Sequence, residues 1–197
     1  GSIMHHMANM LTPSLQVAMN ELSNHDHSRF LTRTNYMVGR VENLGAEAAN
    51  EYVNLGIMRE AVVMQMTWVG APTIYYGDEA GVCGFTDPDN RRTYPWGYEN
   101  RELISFHKEM IRIHKEHPAL RTGSLNILNG SIRVSDGNDN EYNILAYGRF
   151  QGDDRIVVIV NNRSELTEVT VPVWMAEVPA KCRMKKLMYT YQDGYSV

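Results

Sequence analysis

The chain has 197 residues, enough for one or two domains, and its 43% hydrophobic and 21% charged content is that of an ordinary globular protein. A net charge of -4 with no basic stripe argues against a nucleic-acid partner, and no apolar run is long enough to cross a bilayer, so no membrane partner is expected. The two cysteines, Cys83 and Cys182, lie far apart, and the first residues lack the basic region and apolar core of a secretory leader; both point to a reducing, cytoplasmic setting.

In chain order, residues 3–12 read as a short helix that Pro13 stops. Residues 15–22 follow as a buried strand. Residues 23–49 show no sustained period and carry Gly39 and Gly45. Residues 50–69 return to helical spacing, with Tyr52, Leu55, Met58, Val62, Met66 and Val69 recurring at three and four. Asn50 is the expected cap, and Gly56 inside the helix suggests a close contact. Residues 72–76 are β-branched and aromatic between Pro72 and Gly77, which predicts a second strand. A glycine- and proline-punctuated loop covers residues 77–99. Residues 100–117 are helical again, with Leu103, Phe106, Met110 and Ile113 as the stripe, Asn100 as cap and Pro118 as stop.

Both long loops follow strands, whereas the helix-to-strand turn at Gly70-Ala71 is minimal. That asymmetry is the mark of an α/β enzyme with its chemistry at one sheet edge. From about residue 124 the texture becomes short β-rich segments between turn clusters, such as Ser135 to Asn140 and Gly152-Asp153-Asp154. A small antiparallel β domain of about five strands is expected there.

The most informative stretch is Ser23-Asn24-His25-Asp26-His27-Ser28-Arg29. It sets amide, imidazole, carboxylate and guanidinium groups at the end of the first strand. A solvated polar loop is the plain alternative. Metal binding by His25 and His27, two apart on one strand face, lacks a third ligand in the sequence.

Three stretches occur together in order: Ser23-Asn24-His25-Asp26; Gly70-Ala71-Pro72-Thr73-Ile74-Tyr75-Tyr76-Gly77-Asp78-Glu79; and Asp87-Pro88-Asp89-Asn90-Arg91-Arg92-Thr93-Tyr94-Pro95-Trp96. They resemble the α-amylase family of glycoside hydrolases (family 13), most closely its neopullulanase and cyclomaltodextrinase branch. The resemblance implies the C-terminal part of a (β/α)8 TIM barrel, strands seven and eight with their helices, followed by a small antiparallel β domain. It sets the barrel portion at residues 1–122 and a β domain, cut short, at 123–197. It also implies a retaining hydrolase of starch, maltodextrin or cyclodextrin-type α-glucans. Asp26 then takes the role of the third catalytic carboxylate and His25 the adjoining sugar contact. Asp87 and Arg91 reach sugar hydroxyls. Asp78-Glu79 look catalytic by position, yet the family pattern makes them structural.

The family's nucleophilic aspartate and general-acid glutamate belong to strands four and five, which this chain does not contain. The expectation is therefore a piece of a larger glycosidase, inactive alone. A non-catalytic carbohydrate-binding or scaffold protein that keeps part of the fold is the competing reading. No cofactor is expected from this segment; the resemblance leaves calcium possible in the full-length parent, because the family's calcium sites lie mostly outside this stretch. Tyr94 and Trp96 are equally read as a sugar-stacking pair or as loop packing. Exposed apolar groups on the two strands, including Val17, Met19, Ile74 and Tyr76, predict that the isolated chain self-associates.

Overall fold

The computed structural model of the chain describes residues 2–129, 133–134 and 143–197. Helices α1 (Ser2–Met7) and α2 (Thr12–Val17) precede strand β1 (Met19–Glu21). Helices α3 (Phe30–Arg33) and α4 (Val41–Leu44) and a 3-10 turn at Glu47–Asn50 lead to α5 (Leu55–Thr67) and β2 (Ala71–Thr73). Helices α6 (Arg101–Glu116) and α7 (Pro118–Thr122) follow. Strands β3 (Ser124–Ile127), β4 (Arg133–Val134), β5 (Ile144–Gln151), β6 (Asp154–Asn161), β7 (Val169–Thr170), β8 (Tyr189–Tyr191) and β9 (Gly194–Ser196) complete the order. Among the described residues no helix is long and apolar enough to cross a membrane.

Two prolines start helices, and Pro118 also marks the end of α6 at Glu116, as expected. Pro13 lies in the first turn of α2 and Pro118 in the first turn of α7, where a missing N–H costs nothing. Residues 15–17, expected as strand, are therefore helical, and only residues 19–21 pair. The second strand is likewise shorter than residues 72–76 and ends at Thr73. Asn50 belongs to the 3-10 turn, and the cap of α5 is Asn54, whose Oδ1 accepts from Ile57 N at 3.0 Å. Tyr52 is exposed and precedes α5. Asn100 caps α6 as expected, accepting from Leu103 N at 3.0 Å. The turn cluster at residues 135–140 lies outside the described residues.

Contacts divide the chain into two units that interleave in sequence: Gly1–Ala18, Thr67–Gly70 and His114–Lys185 in one, Met19–Met66, Ala71–Ile113 and Lys186–Val197 in the other. This differs from the single boundary at 122/123: the last twelve residues join the unit that holds β1 and β2, and residues 1–18, 67–70 and 114–122 join the other.

In the first unit β3, β5 and β6 form an antiparallel sheet, with Ile127 opposite Tyr147 and Tyr147 opposite Val158. Leu128, Ala146, Ala176 and Val178 form its core. Arg149 is fully buried, has no carboxylate partner among the described residues, and donates to the carbonyls of Thr67 (2.7 Å), Gly123 (3.0 Å) and Ser124 (3.3 Å). Burial lowers its pKa to about 10, and the three carbonyl dipoles take the place of a counter-ion. Asp154 holds the start of α7, accepting from Ala119 N (2.9 Å) and lying 2.8 Å from His117 Nδ1.

In the second unit β1 and β2 are parallel, Met19 opposite Ala71 and Glu21 opposite Thr73. Gln65 of α5 is buried and donates to the carbonyls of Asn20 (3.1 Å) and Thr73 (2.8 Å), so one amide ties the helix to both strands. The predicted stripe of α6, Leu103, Phe106, Met110 and Ile113, is buried, each side chain worth about 1.5–3 kcal/mol. The hairpin β8–β9 packs Tyr195 on Phe106, ring centroids 5.1 Å apart. Gln192 in its turn accepts from Arg59, which is itself paired in two bonds with Glu102. Gly56 faces this turn: a Cβ there would sit 2.9 Å from Gln192 Oε1 and 3.3 Å from its Cα, the close contact the sequence suggested. Of the four apolar groups expected at the strand pair, Val17, Met19 and Tyr76 are exposed and Ile74 is half-buried.

Candidate active site

The second unit carries two loops, one after β1 and one after β2, and hydrogen bonds lock them together. Asn24 shapes the first. Its Oδ1 accepts from Asp26 N (2.9 Å) and His27 N (3.2 Å), a side-chain-made turn, while its Nδ2 donates to Glu21 Oε1 (2.8 Å). Asn90 of the second loop is fully buried. Its Nδ2 faces the carbonyls of His27 (2.7 Å), His25 (3.1 Å) and Asn24 (3.4 Å). Thr86 Oγ1 donates to Asp26 O at 2.9 Å, and Asp87 N reaches the same oxygen at 3.4 Å.

Arg29 lies behind this contact. It is fully buried and donates to Asn90 O (2.9 Å), Tyr76 O (2.6 Å) and Asp78 Oδ1 (3.1 Å). Its guanidinium carbon is 4.4 Å and 4.7 Å from the ring centroids of Tyr75 and Tyr76. One carboxylate and two aromatic faces thus share the buried charge. Burial raises the Asp78 pKa, opposed by a hydrogen bond from Ser23 and by Arg29. Glu79 is engaged by the backbone, accepting from Gly77 N at 2.9 Å. Both carboxylates of the Asp78-Glu79 pair are thus engaged by groups of the fold. Gly84 is required where the second loop folds back on itself: a Cβ would lie 2.7 Å from Asn90 Cα and 2.8 Å from Asp89 O.

The four predicted site residues sit in front of this buried lattice and remain open to solvent. His25 Nε2 is 3.4 Å from Asp26 Oδ1, with side chains 63% and 65% exposed, so both can meet a ligand. Arg91 Nε donates to Asp87 Oδ1 at 2.6 Å, with 49% and 44% of those side chains exposed. The Arg91 pKa is raised, chiefly by its hydrogen bond to Asp87, with the charges of Asp87 and Asp26 adding. The two predicted pairs thus belong to one electrostatic neighbourhood. Asp87 is held from behind as well, its carbonyl accepting from Arg40 Nη1 at 2.8 Å, and Asp89 Oδ2 accepts from Val41 N at 2.8 Å.

Sequence reasoning did not assign roles to Asn90, Arg29 or Ser23. A signal was present: each long loop brings one residue of a charge pair, Arg29 and Asp78, just past its strand. Among the described residues no group of three His, Cys, Asp or Glu side chains is placed to hold a metal ion. The arrangement offers a fixed carboxylate, an imidazole and a carboxylate-braced guanidinium, groups suited to hydroxyl-rich, uncharged ligands.

The Alpha amylase, catalytic domain family model matches residues 2–122. The chain is 36% identical over 191 residues to an amylopullulanase of Thermoanaerobacter thermohydrosulfuricus, covering 92% of this chain and 12% of that protein. It is 36% identical over 170 residues to neopullulanase 2 of Thermoactinomyces vulgaris, covering 84% of this chain and 25% of that one. A solved cyclomaltodextrinase superposes with a TM-score of 0.60 at 30% identity, covering 80% of this chain and 23% of that structure. The chain thus spans about a quarter or less of these relatives, and its fold is of the α/β kind that they share. With the family model matching more than half of its length, this chain belongs to the α-amylase family.

Proposed function

We propose that this chain supplies barrel strands seven and eight, their loops and the following β domain of a retaining α-glucan hydrolase. Residues 1–122 are the barrel portion and the segments from residue 123 on are the β domain, its last hairpin folded back on the barrel part. Asp26 is the third catalytic carboxylate. His25 orients the sugar beside it, and the Asp87–Arg91 pair binds hydroxyls at the neighbouring ring. One observation carries this reading: the backbones of the Asp26 and Asp87 loops are fixed to each other by Asn90 and Thr86, while all four functional side chains stay solvent-facing. A solvated loop has no need of a buried asparagine bridging three of its carbonyls.

In a retaining hydrolase one carboxylate attacks the anomeric carbon and one carboxylic acid protonates the leaving oxygen. We assign both groups to barrel strands outside this chain. The 197 residues alone are therefore expected to show no turnover of starch, pullulan or cyclodextrin, while the intact protein hydrolyses one or more of them with retention at the anomeric carbon, followed by proton NMR. An intact protein inert on linear, branched and cyclic α-glucans sinks the assignment. Turnover by the pure chain sinks the placement of the two missing carboxyls.

The isolated chain is also expected to self-associate. The sheet that positions the site has two strands among the described residues, and Met19 and Tyr76 beside it are 65% and 42% exposed. Sedimentation velocity at micromolar concentration tests this; a monomer throughout would refute it.

A further inference from the structure

The loop after β1 is gripped by its backbone. All four carbonyls from Asn24 to His27 accept from the loop after β2. Asn90 Nδ2 serves His27 O (2.7 Å), His25 O (3.1 Å) and Asn24 O (3.4 Å), and Asp26 O accepts from Thr86 Oγ1 (2.9 Å) and Asp87 N (3.4 Å). From the other side Asn24 Oδ1 accepts from the amides of Asp26 (2.9 Å) and His27 (3.2 Å). The peptides flanking Asp26 are therefore fixed, whereas its carboxylate rests loosely beside the His25 ring at 3.4 Å. Where that carboxylate points is set by the backbone.

Asn90 is in turn held from behind. It is fully buried, and the turns closed by Asp89 N to Thr86 O (2.9 Å) and Arg91 N to Pro88 O (3.1 Å) fold the chain around it. Its own carbonyl accepts from the buried Arg29 Nε at 2.9 Å. The orientation of its amide is dictated by chemistry: turned over, Oδ1 would face three carbonyl oxygens, all acceptors. The orientation that serves those carbonyls leaves Oδ1 buried with no partner among the described residues. An unpaired buried acceptor lowers stability, so a residue present for packing alone would not leave one. What the site uses is the donor.

Resting on the function proposed above, we infer that Asn90 is a positioning residue for the reaction: through the carbonyls of His25 and His27 it sets the place of the Asp26 carboxylate against the reacting sugar. Asn90 touches no ligand itself. Asp87 lies three residues before it and Arg91 follows it directly, so one rigid stretch fixes both the proposed sugar contacts and the carboxylate. A misplacement of about 1 Å in such a group costs on the order of 10²-fold in rate. The carboxylate acts mainly as charge develops on the ring, so the loss falls on kcat.

The test is a double-mutant cycle in the intact protein, with starch, pullulan and cyclodextrin as substrates. Asn90→Ser is expected to lower kcat about 10- to 100-fold while KM stays within about 3-fold of the parent. In the Asp26→Asn background the same change is expected to cost less than about 3-fold, because no carboxylate remains to be misplaced. A general weakening of the fold has no reason to spare that background. Asn90→Asp keeps the side chain's size; ionised, it sets a carboxylate against three carbonyl oxygens, and protonated, it donates to one of them. Its kcat deficit relative to the parent is expected to shrink as pH is lowered from neutrality toward the usual carboxylate range. Thr86→Val removes one bond to Asp26 O and leaves the buried lattice intact. It is expected to lower kcat about 3- to 10-fold, again with little change in KM, and decides the matter if the Asn90 variants fail to fold. Near-parental kcat in the folded variants, a loss carried by KM, an equal loss with and without the Asp26 carboxylate, or an Asn90→Asp deficit constant with pH overturns the positioning role and makes Asn90 a support of the loop. Those outcomes leave the hydrolase assignment standing. A parental protein inert on all three substrates removes that assignment, and the role of Asn90 with it.

Discussion

Asp26→Asn in the intact protein is expected to lower kcat by at least about 10²- to 10³-fold while leaving KM within a few-fold of the parent. The carboxylate faces solvent 65% exposed, yet its backbone is fixed by Asn24 Oδ1 on its N–H and by Thr86 on its carbonyl. A carboxylate held in this way contributes most when positive charge develops on the sugar ring and its hydroxyls donate more strongly. The amide keeps the shape and removes the charge, so the loss falls on the transition state. Folding should be indifferent, because the contact that the side chain makes, with His25 at 3.4 Å, is exposed and worth little. Steady-state kinetics together with thermal unfolding separate the two effects. A variant with near-parental kcat removes Asp26 from the catalytic group. One with a lowered Tm and a proportionate loss of activity makes it structural.

The exposed half of the site was more legible in the sequence than the buried half. The polar cluster that holds His25 and Asp26 stands out after its strand, whereas Asp87 and Arg91 were singled out only through the motif that the chain shares with the family it resembles. The α6 stripe was read because its 3.6-residue period follows from packing one helix face. What holds the site is written at single positions without a period. Asn90 bridges three carbonyls only because the second loop folds under the first, and no local pattern announces a contact 63 to 66 residues away in sequence. The strand boundaries failed for a similar reason. Leu15 to Met19 is apolar at every position but Gln16, a pattern that suits helix or strand, and Pro13 in the first turn favours helix for most of it. The fate of the last hairpin was also invisible. Residues 194–197 are expected from the sequence to add no closing strand, yet Gly194–Ser196 pairs with Tyr189–Tyr191, and Tyr195 meets Phe106 and Gln192 meets Arg59, contacts that composition cannot specify.

Arg29→Met is expected to be the most destabilising single change in the unit that bears the site, costing about 3–5 kcal/mol, because it leaves Asp78 buried without its cation. The pair is 0% and 5% exposed at 3.1 Å, so solvent cannot replace the lost partner. Bonds to Asn90 O and Tyr76 O disappear with it, and these join the two site loops. Activity should therefore fall along with stability, although Arg29 touches no ligand. The effect of pH separates the ion pair from simple loss of volume. Burial already raises the Asp78 pKa above its unfolded value, and removing Arg29 raises it further. A carboxyl whose folded pKa is raised holds its proton longer in the native state, so stability falls as pH rises through the interval between the two values. The variant's deficit, measured by urea unfolding, should accordingly shrink as pH is lowered from neutrality toward the usual carboxylate range. Adding Asp78→Asn to Arg29→Met should abolish that pH dependence and recover part of the lost stability, because the uncompensated charge is gone. A deficit that stays constant with pH, or a double variant no more stable than Arg29→Met alone, would mean that the guanidinium acts through the carbonyls of Asn90 and Tyr76 and through the tyrosine rings, and that Asp78 is a bystander.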